Sequence, residues 1–240
     1  MPAEGTIPLG PGALHHLRDV LRLDDGSEII VVNAGVAVRV CLTAVGASAE
    51  GETLEVLPAQ QLPRVTLAQG LAKGEKMDDV VRQATELGVS RIVPFAAERS
   101  VVKLDATKAA ARVDRWRRIA AEAAQQSQRA DIPEVHDVVP AQALPDELSG
   151  STVLVCWEDA ASSTEGIDAA ITRLAPAPDT DVAIVVGPEG GLTAAEVSLL
   201  ESAGAVAVTL GPTVLRTETA GVVATALAIH ARGGLGARRD

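Results

Sequence analysis

The stretch VAIVVGPEGGLTAAEV (182–197) and its echo VAVTLGPTVLRTETAGVVATALAI (206–229) decide how this chain folds. In the first, Val182–Val186 is an unbroken apolar run, too short for a helix and rich in β-branched residues, which reads as a buried strand. Gly187-Pro188-Glu189-Gly190-Gly191 interrupts it, and a helix opens at Thr193, whose hydroxyl is placed to cap the amides near Glu196 while Glu196 reaches back in a capping box. The second stretch repeats the design: strand, Gly211-Pro212, a short loop, then Leu215-Arg216-Thr217-Glu218-Thr219 opening an apolar helix. A strand feeding a glycine-bearing loop and then a helix, twice over, predicts an α/β domain that binds a small molecule beyond the carboxyl ends of its strands.

Upstream, VTLAQGL (65–71) reads as another buried strand. Met77, Val80, Val81, Ala84 and Leu87 then recur at helical spacing until Gly88 stops the helix, and RIVPF (91–95) returns to strand. That βαβ unit favours a parallel sheet, to which TVLVCW (152–157) adds a further strand. A long helix is expected from about Lys108 to Gln128, with Val113, Trp116, Ala120 and Ala123 on one stripe and Arg112, Arg115, Arg118 and Glu122 on another. Residues 1–62 differ: EIIVV (28–32), VAVRVCL (36–42) and ETLEV (52–56), parted by turn residues such as Asn33-Ala34-Gly35, predict a small β-rich domain. LPAQQLPR (57–64) reads as the linker and PAPDTD (176–181) as a surface loop, giving domains 1–62 and 63–240.

With 240 residues, 47% hydrophobic and 22% charged, the chain is globular in composition and long enough to fold without a metal or disulfide staple. No apolar run reaches the ~18 residues of a membrane span, and MPAEGTIPLG carries no basic segment followed by an apolar run, so a soluble protein without a secretory signal is expected. Cys41 and Cys156 lie far apart without ligand spacing, which fits reduced thiols in the cytoplasm and no metal site.

A net charge of −11, with one Phe, two Trp and no Tyr, argues against a nucleic-acid partner, because polyanions need basic surface and splayed bases need aromatic platforms. Taken by segment the picture changes: residues 1–62 are net −5, residues 63–145 net +2 and residues 146–240 net −8. The arginine stripe of the long helix lies in the one basic segment. It reads either as a solvated face with ion pairs or as a phosphate-contacting face.

Neither glycine loop has the GK[ST] ending of a P-loop or the spacing of a dinucleotide fingerprint, so a nucleotide-dependent dehydrogenase is disfavoured. Arg216 is the only basic residue between Arg173 and Arg232. Two readings compete for it: a structural pair with Glu218, two residues on, or an unpaired guanidinium that orients an anionic or carbonyl-bearing substrate beside a cofactor.

GPEGGLTAAE (187–196) and LGPTVLRTETA (210–220) closely resemble the two cofactor-loop motifs of the RsmE-type 16S rRNA uridine-N3 methyltransferases of the SPOUT class. The likeness extends through GLAKGEKMDDVVRQATELGVSRIVPFAAERSVVKL (70–104), EAAQQSQRADIPEV (122–135) and HHLRDVLRLDDGSEIIVV (15–32), most of the chain in the family's order. The resemblance implies a PUA-like β-barrel for RNA binding, then an α/β domain with a C-terminal deep trefoil knot. It also implies S-adenosylmethionine as methyl donor, a homodimer, and N3-methyluridine near the decoding centre of 16S rRNA in the small ribosomal subunit as product.

Carried over residue by residue, the resemblance implies cofactor contacts from Val186, Gly187, Pro188, Glu189, Gly190, Gly191, Leu210, Gly211, Leu215 and Thr217. Arg216 matches the motif arginine, near the methyl group or the target base, and Glu218 is a candidate base. Arg18, Arg22, Lys73, Lys76, Arg99, Arg112, Arg115 and Arg129 are the candidate RNA contacts. His15 and His16 fall in the motif and read as structural. The chain departs from the family at its start, where MPAEGTIPLG lacks the usual basic and aromatic strand. With so few aromatic residues, uracil recognition is expected to rest on backbone hydrogen bonds and Arg216 more than on stacking. A related SPOUT enzyme acting on another RNA position, such as a ribose 2′-hydroxyl, and a non-catalytic RNA-binding assembly protein remain as alternatives.

Overall fold

Strand-forming Val and Ile runs at both ends of the chain are sorted into two sheets by how many faces each must bury. The computed structural model describes residues 6–9, 14–33, 36–45, 48–57, 62–157, 165–177 and 179–236. The turn at Ala34-Gly35, half of the expected linker and most of the atypical N-terminus lie outside the described residues. The chain divides into one compact unit of Met1–Gln60 with Gln128–Asp131, and a second of Gln61–Ser127 with Ile132–Asp240.

In the first unit, β1 (Thr6–Leu9), β2 (Glu28–Asn33), β3 (Val36–Val45) and β4 (Ala49–Val56) form an antiparallel sheet ordered β1-β4-β3-β2. One face is apolar, with Ile7, Val38 and Val40 packed together. On β3, Arg39 is exposed and lies 3.7 Å from Glu28 and 3.5 Å from Glu55 on the flanking strands. Among the described residues no ladder joins β2 to β1, so the sheet stands as four strands. The sequence reading missed β1, whose four residues hold a single buried position, Ile7.

The second unit is built on a seven-stranded parallel sheet. Its strands are β5 (Val65–Gly70), β6 (Arg91–Ala96), β7 (Glu134–Val135), β8 (Val139–Pro140), β9 (Thr152–Cys156), β10 (Val182–Val186) and β11 (Val206–Val208). They run in the order β11-β9-β10-β5-β6-β7, with β8 also pairing β6. Every residue of β5 and β10 is buried, as central strands covered on both faces must be, which is why their sequences are continuous rather than alternating. α1 (Lys76–Leu87) buries Met77, Val80, Val81 and Ala84 and ends at Gly88, whose φ of 110° lets its N–H reach back to the carbonyls of Ala84 and Thr85. α2 (Ala106–Gln126) begins two residues before the expected Lys108, because the Asp105 side chain accepts the Lys108 N–H and caps the helix there.

Three further helices precede the last one: α3 (Leu144–Glu147), α4 (Ile167–Leu174) and α5 (Ala194–Ser202). The capping box expected at Thr193 and Glu196 is formed. β11 is shorter than VAVTLG suggested, since pairing with β9 stops at Val208 and residues 209–216 leave as a loop before α6 (Thr217–Ala231). The sequence reading missed β7, β8 and α3, each too short to show a period, and also α4, although its Ile167, Ala170, Ile171 and Leu174 recur at helical spacing. Because all seven strands are parallel, the carboxyl ends of β5, β9, β10 and β11 share one edge of the sheet.

Candidate functional site

At that edge lies a cavity of about 520 Å³. Its walls come from the loop after β10 (Val186, Gly187, Pro188, Glu189, Gly191, Leu192) and the loop after β11 (Thr209 to Arg216). Thr217 and Ala220 of α6, Cys156 and Trp157 at the end of β9, and Lys76 at the start of α1 complete it. A volume in the ~300–1,000 Å³ range typical of ligand sites, bounded by two loops from neighbouring strands, is what the repeated sequence motif anticipated.

The loops approach so closely because glycine permits it. A Cβ on Gly70, at the end of β5, would lie 2.5 Å from the Pro188 nitrogen, and one on Gly187 would meet the Gly191 carbonyl carbon at 3.1 Å. Gly191 and Gly211 take φ of 70° and 122°, so both loops turn through the left-handed region. Gly190 turns away from the cavity: a Cβ there would fall 2.7 Å from the Arg99 carbonyl oxygen.

Three buried polar groups join the loops. The Thr217 hydroxyl donates to the Gly187 carbonyl at 2.6 Å and accepts from the Gln69 side-chain amide at 2.9 Å. Gln69 is fully buried, and its signal in the sequence was a lone amide in the otherwise apolar run VTLAQG, which the reading passed over.

Lys76 is the residue the sequence reading misplaced. Expected on the RNA-facing surface, it instead lines the cavity, its ammonium 3.0 Å from Glu189 Oε1 and 3.1 Å from Glu218 Oε2. The hydrogen bond to Glu189, and then the ion pair with Glu218, hold Lys76 above the usual lysine range, so it is a fixed cation. Burial pushes the Glu189 carboxyl up, but the Lys73 N–H at 3.0 Å and the Lys76 ammonium outweigh it, and the group sits below the usual carboxylate range. Enclosure pushes the Cys156 thiol up to about 12, which keeps it neutral in the cavity wall. Trp157 brings an indole to the same wall, an aromatic surface that the expectation of recognition without stacking had left out.

Arg216 stands at the mouth of the cavity, exposed, as the N-cap residue of α6 with no side-chain cap bond. The pairing with Glu218 that competed for it is not formed. Glu218 is held by Lys76, and among the described residues the Arg216 side chain makes no hydrogen bond or ion pair, its carbonyl accepting only the Ala220 N–H of the helix.

The candidate RNA contacts are scattered. Arg115 is bound to Asp78 at 2.5 Å, which favours the ion-paired reading at that position of the stripe, whereas Arg112 on the same helix is partly buried. Arg18 pairs with Asp19 at 2.8 Å, Arg22 is exposed at a left-handed φ of 54°, and Arg99 lies against the Gly190 carbonyl. Arg129 is a correction: at 5% exposure and bonded to Asp131 at 2.9 Å, it offers almost no surface to a phosphate. His15 pairs with Asp19 at 2.7 Å, in keeping with a structural role. Among the described residues no cluster of His, Cys, Asp and Glu could hold a metal ion, and no helix is long and apolar enough to cross a membrane.

Comparison with known proteins converges on one family. Residues 60–229 match the RNA methyltransferase domain family. A ribosomal RNA small subunit methyltransferase E from Bacillus subtilis is 38% identical over 232 residues, covering 90% of this chain and 86% of its own. The crystal structure of a protein of the same name from Neisseria gonorrhoeae, bound to S-adenosyl methionine, superposes with a TM-score of 0.79 at 32% identity, covering 94% of this chain and 92% of its own. A putative methyltransferase from Legionella pneumophila with bound cofactor SAM superposes equally well, with a TM-score of 0.79 at 30% identity over 95% of this chain and 93% of its own.

Proposed function

Because this chain belongs to the RNA methyltransferase family, we propose that it transfers the methyl group of S-adenosylmethionine to N3 of a uridine in 16S rRNA of the small ribosomal subunit, near the decoding centre. The observation that carries this reading is the cavity itself. Two glycine loops wall a cavity large enough for a nucleoside, with a guanidinium at its mouth that has no partner among the described residues. Val186 to Gly191, Leu210, Gly211, Leu215 and Thr217 are assigned to the cofactor, with Gly190 contributing by seating its loop on Arg99.

S-adenosylmethionine supplies a sulfonium methyl; in the overall reaction the C–S bond breaks, an N3–C bond forms, and N3 gives up its proton. Holding two reactants in line can contribute up to ~7–11 kcal/mol, and the cavity walls do that part. Arg216 cannot be a base, since guanidinium stays protonated, but it can stabilise the charge that spreads onto the uracil oxygens as N3 ionises. Trp157 adds a ring face against which a base can pack. The neutral Cys156 thiol does not compete for the methyl group as a thiolate would.

The same reading includes a deep trefoil knot in the second unit and a PUA-like barrel in the first. What supports the knot is that two loops, after β10 and β11, meet on one cavity with α6 returning beneath them to Gln69 of β5. A homodimer is supported by α6, which carries no Lys, Arg, Asp or Glu between Glu218 and Arg232 and leaves Leu227 exposed, with Val222, Val223 and Ala226 only partly buried. RNA would then be gripped by Arg22, Lys73, Arg99 and Arg112, and a cytoplasmic location follows from the ribosomal substrate.

The test is methylation of small subunits lacking the modification, using labelled S-adenosylmethionine, with the labelled nucleoside identified by mass spectrometry. Arg216→Ala is expected to hold S-adenosylmethionine affinity within a few-fold and to lower kcat by ~10²–10³-fold. Label on a ribose hydroxyl, or a wild-type protein that binds no S-adenosylmethionine by calorimetry, overturns the assignment.

A further inference from the structure

Two cations line the cavity, and the structure treats them differently. Lys76 is half-buried and engaged by two carboxylates, while Arg216, at the opposite loop, is exposed and engaged by none among the described residues. The two carboxylates are not equivalent. Glu189 has a second donor, the Lys73 N–H at 3.0 Å, so it stays anchored whatever Lys76 does. Glu218 is held to the cavity wall by Lys76 at 3.1 Å, and it sits two residues from Arg216 at the same end of α6. Without Lys76, the nearest guanidinium in sequence to Glu218 is Arg216.

We propose that Lys76 is a positioning residue whose task is to hold Glu218 so that its carboxylate does not neutralise Arg216. The inference rests on Arg216 being the group that stabilises the uracil anion. A guanidinium already satisfied by a neighbouring carboxylate has less charge to offer an anion developing on a substrate, because the new interaction must displace an existing one. The first turn of α6 favours an acidic residue there through the helix dipole, which explains why Glu218 is present at all; Lys76 then turns that carboxylate away from the mouth. In this arrangement Glu218 is a restrained structural anion.

The test is a rescue experiment. Lys76→Met and Lys76→Gln are each expected to lower kcat on small subunits by ~100-fold while the calorimetric Kd for S-adenosylmethionine changes less than ~5-fold. Adding Glu218→Gln to either variant removes the charge that has been set loose, and is expected to return kcat to within ~10-fold of wild type. A residue that merely braces the loops gives no such rescue, since deleting its second partner cannot rebuild the brace. Double variants no more active than the single ones overturn the role, and so does loss of S-adenosylmethionine binding in both Lys76 variants, which would make Lys76 part of the cofactor cradle. Wild-type protein that binds S-adenosylmethionine yet methylates no uridine overturns the function itself, an outcome separate from the failure of the rescue.

Discussion

Replacing Thr217 by Val removes one hydroxyl without changing the side-chain shape, and the structure fixes what that hydroxyl does. It donates to the Gly187 carbonyl at 2.6 Å and accepts from Gln69 Nε2 at 2.9 Å, and Thr217 is itself only 6% exposed. In Thr217→Val the Gly187 carbonyl loses its donor. The Gln69 amide keeps only the longer bond to the Gly70 carbonyl, at 3.3 Å. Leaving a buried polar group without a partner costs ~1–3 kcal/mol. With one group orphaned and one partly so, the loss is ~3 kcal/mol. For a chain of this length that is a fall in melting temperature of ~6–12 °C, at ~2–4 °C per kcal/mol. Because the bond spans the two loops, S-adenosylmethionine affinity falls in the same variant. Thermal unfolding followed by circular dichroism, and calorimetry with S-adenosylmethionine, measure the two effects. Thr217→Ser keeps the hydroxyl and is expected to recover most of both. A melting temperature for Thr217→Val within ~2 °C of wild type, or a Ser variant as unstable as the Val variant, refutes the reasoning.

Two further outcomes concern titration. The Glu189 carboxyl is held below its usual range in the folded state, so its contribution is fully present above the unfolded value near 4.5 and fades as pH falls through the lower folded value. Glu189→Gln is therefore expected to flatten the loss of stability on acidification below about pH 4.5, measured by urea denaturation across pH; an unchanged acid limb sinks the assignment. For Cys156, with its thiol pushed up to about 12, alkylation by iodoacetamide at pH 8.5 is expected to be far slower than that of glutathione, and saturation with S-adenosylmethionine should slow it further. Peptide mass spectrometry gives the rate, and fast labelling of Cys156 counts against a closed, low-dielectric wall.

How far the sequence carries depends on whether a feature is local. The alternation of strand and helix, the Gly88 stop, and the Thr193–Glu196 capping box are each set within a few residues, and they stand as read. The first unit's three longer strands were legible for the same reason, whereas β1, with one buried position, and β7 and β8, with two residues each, were too short for any period to show. The start of α2 shifted because a cap depends on one side chain, Asp105, that no periodicity marks.

The sequence by itself determined that residues 187–191 and 211–214 would be loops after buried strands, because glycine, proline and apolar runs act through the chain's own sterics. It also placed Arg216 and Glu218 side by side and left open whether they pair. Only the tertiary structure decided that question. Charge pairing is settled by distance in space, and the parallel order β9-β10-β5 carries Lys76, more than a hundred residues upstream, to within 3.1 Å of both carboxylates. A lysine expected among the RNA contacts thereby becomes part of the cavity wall, and the side chain of the arginine beside Glu218 has no partner among the described residues.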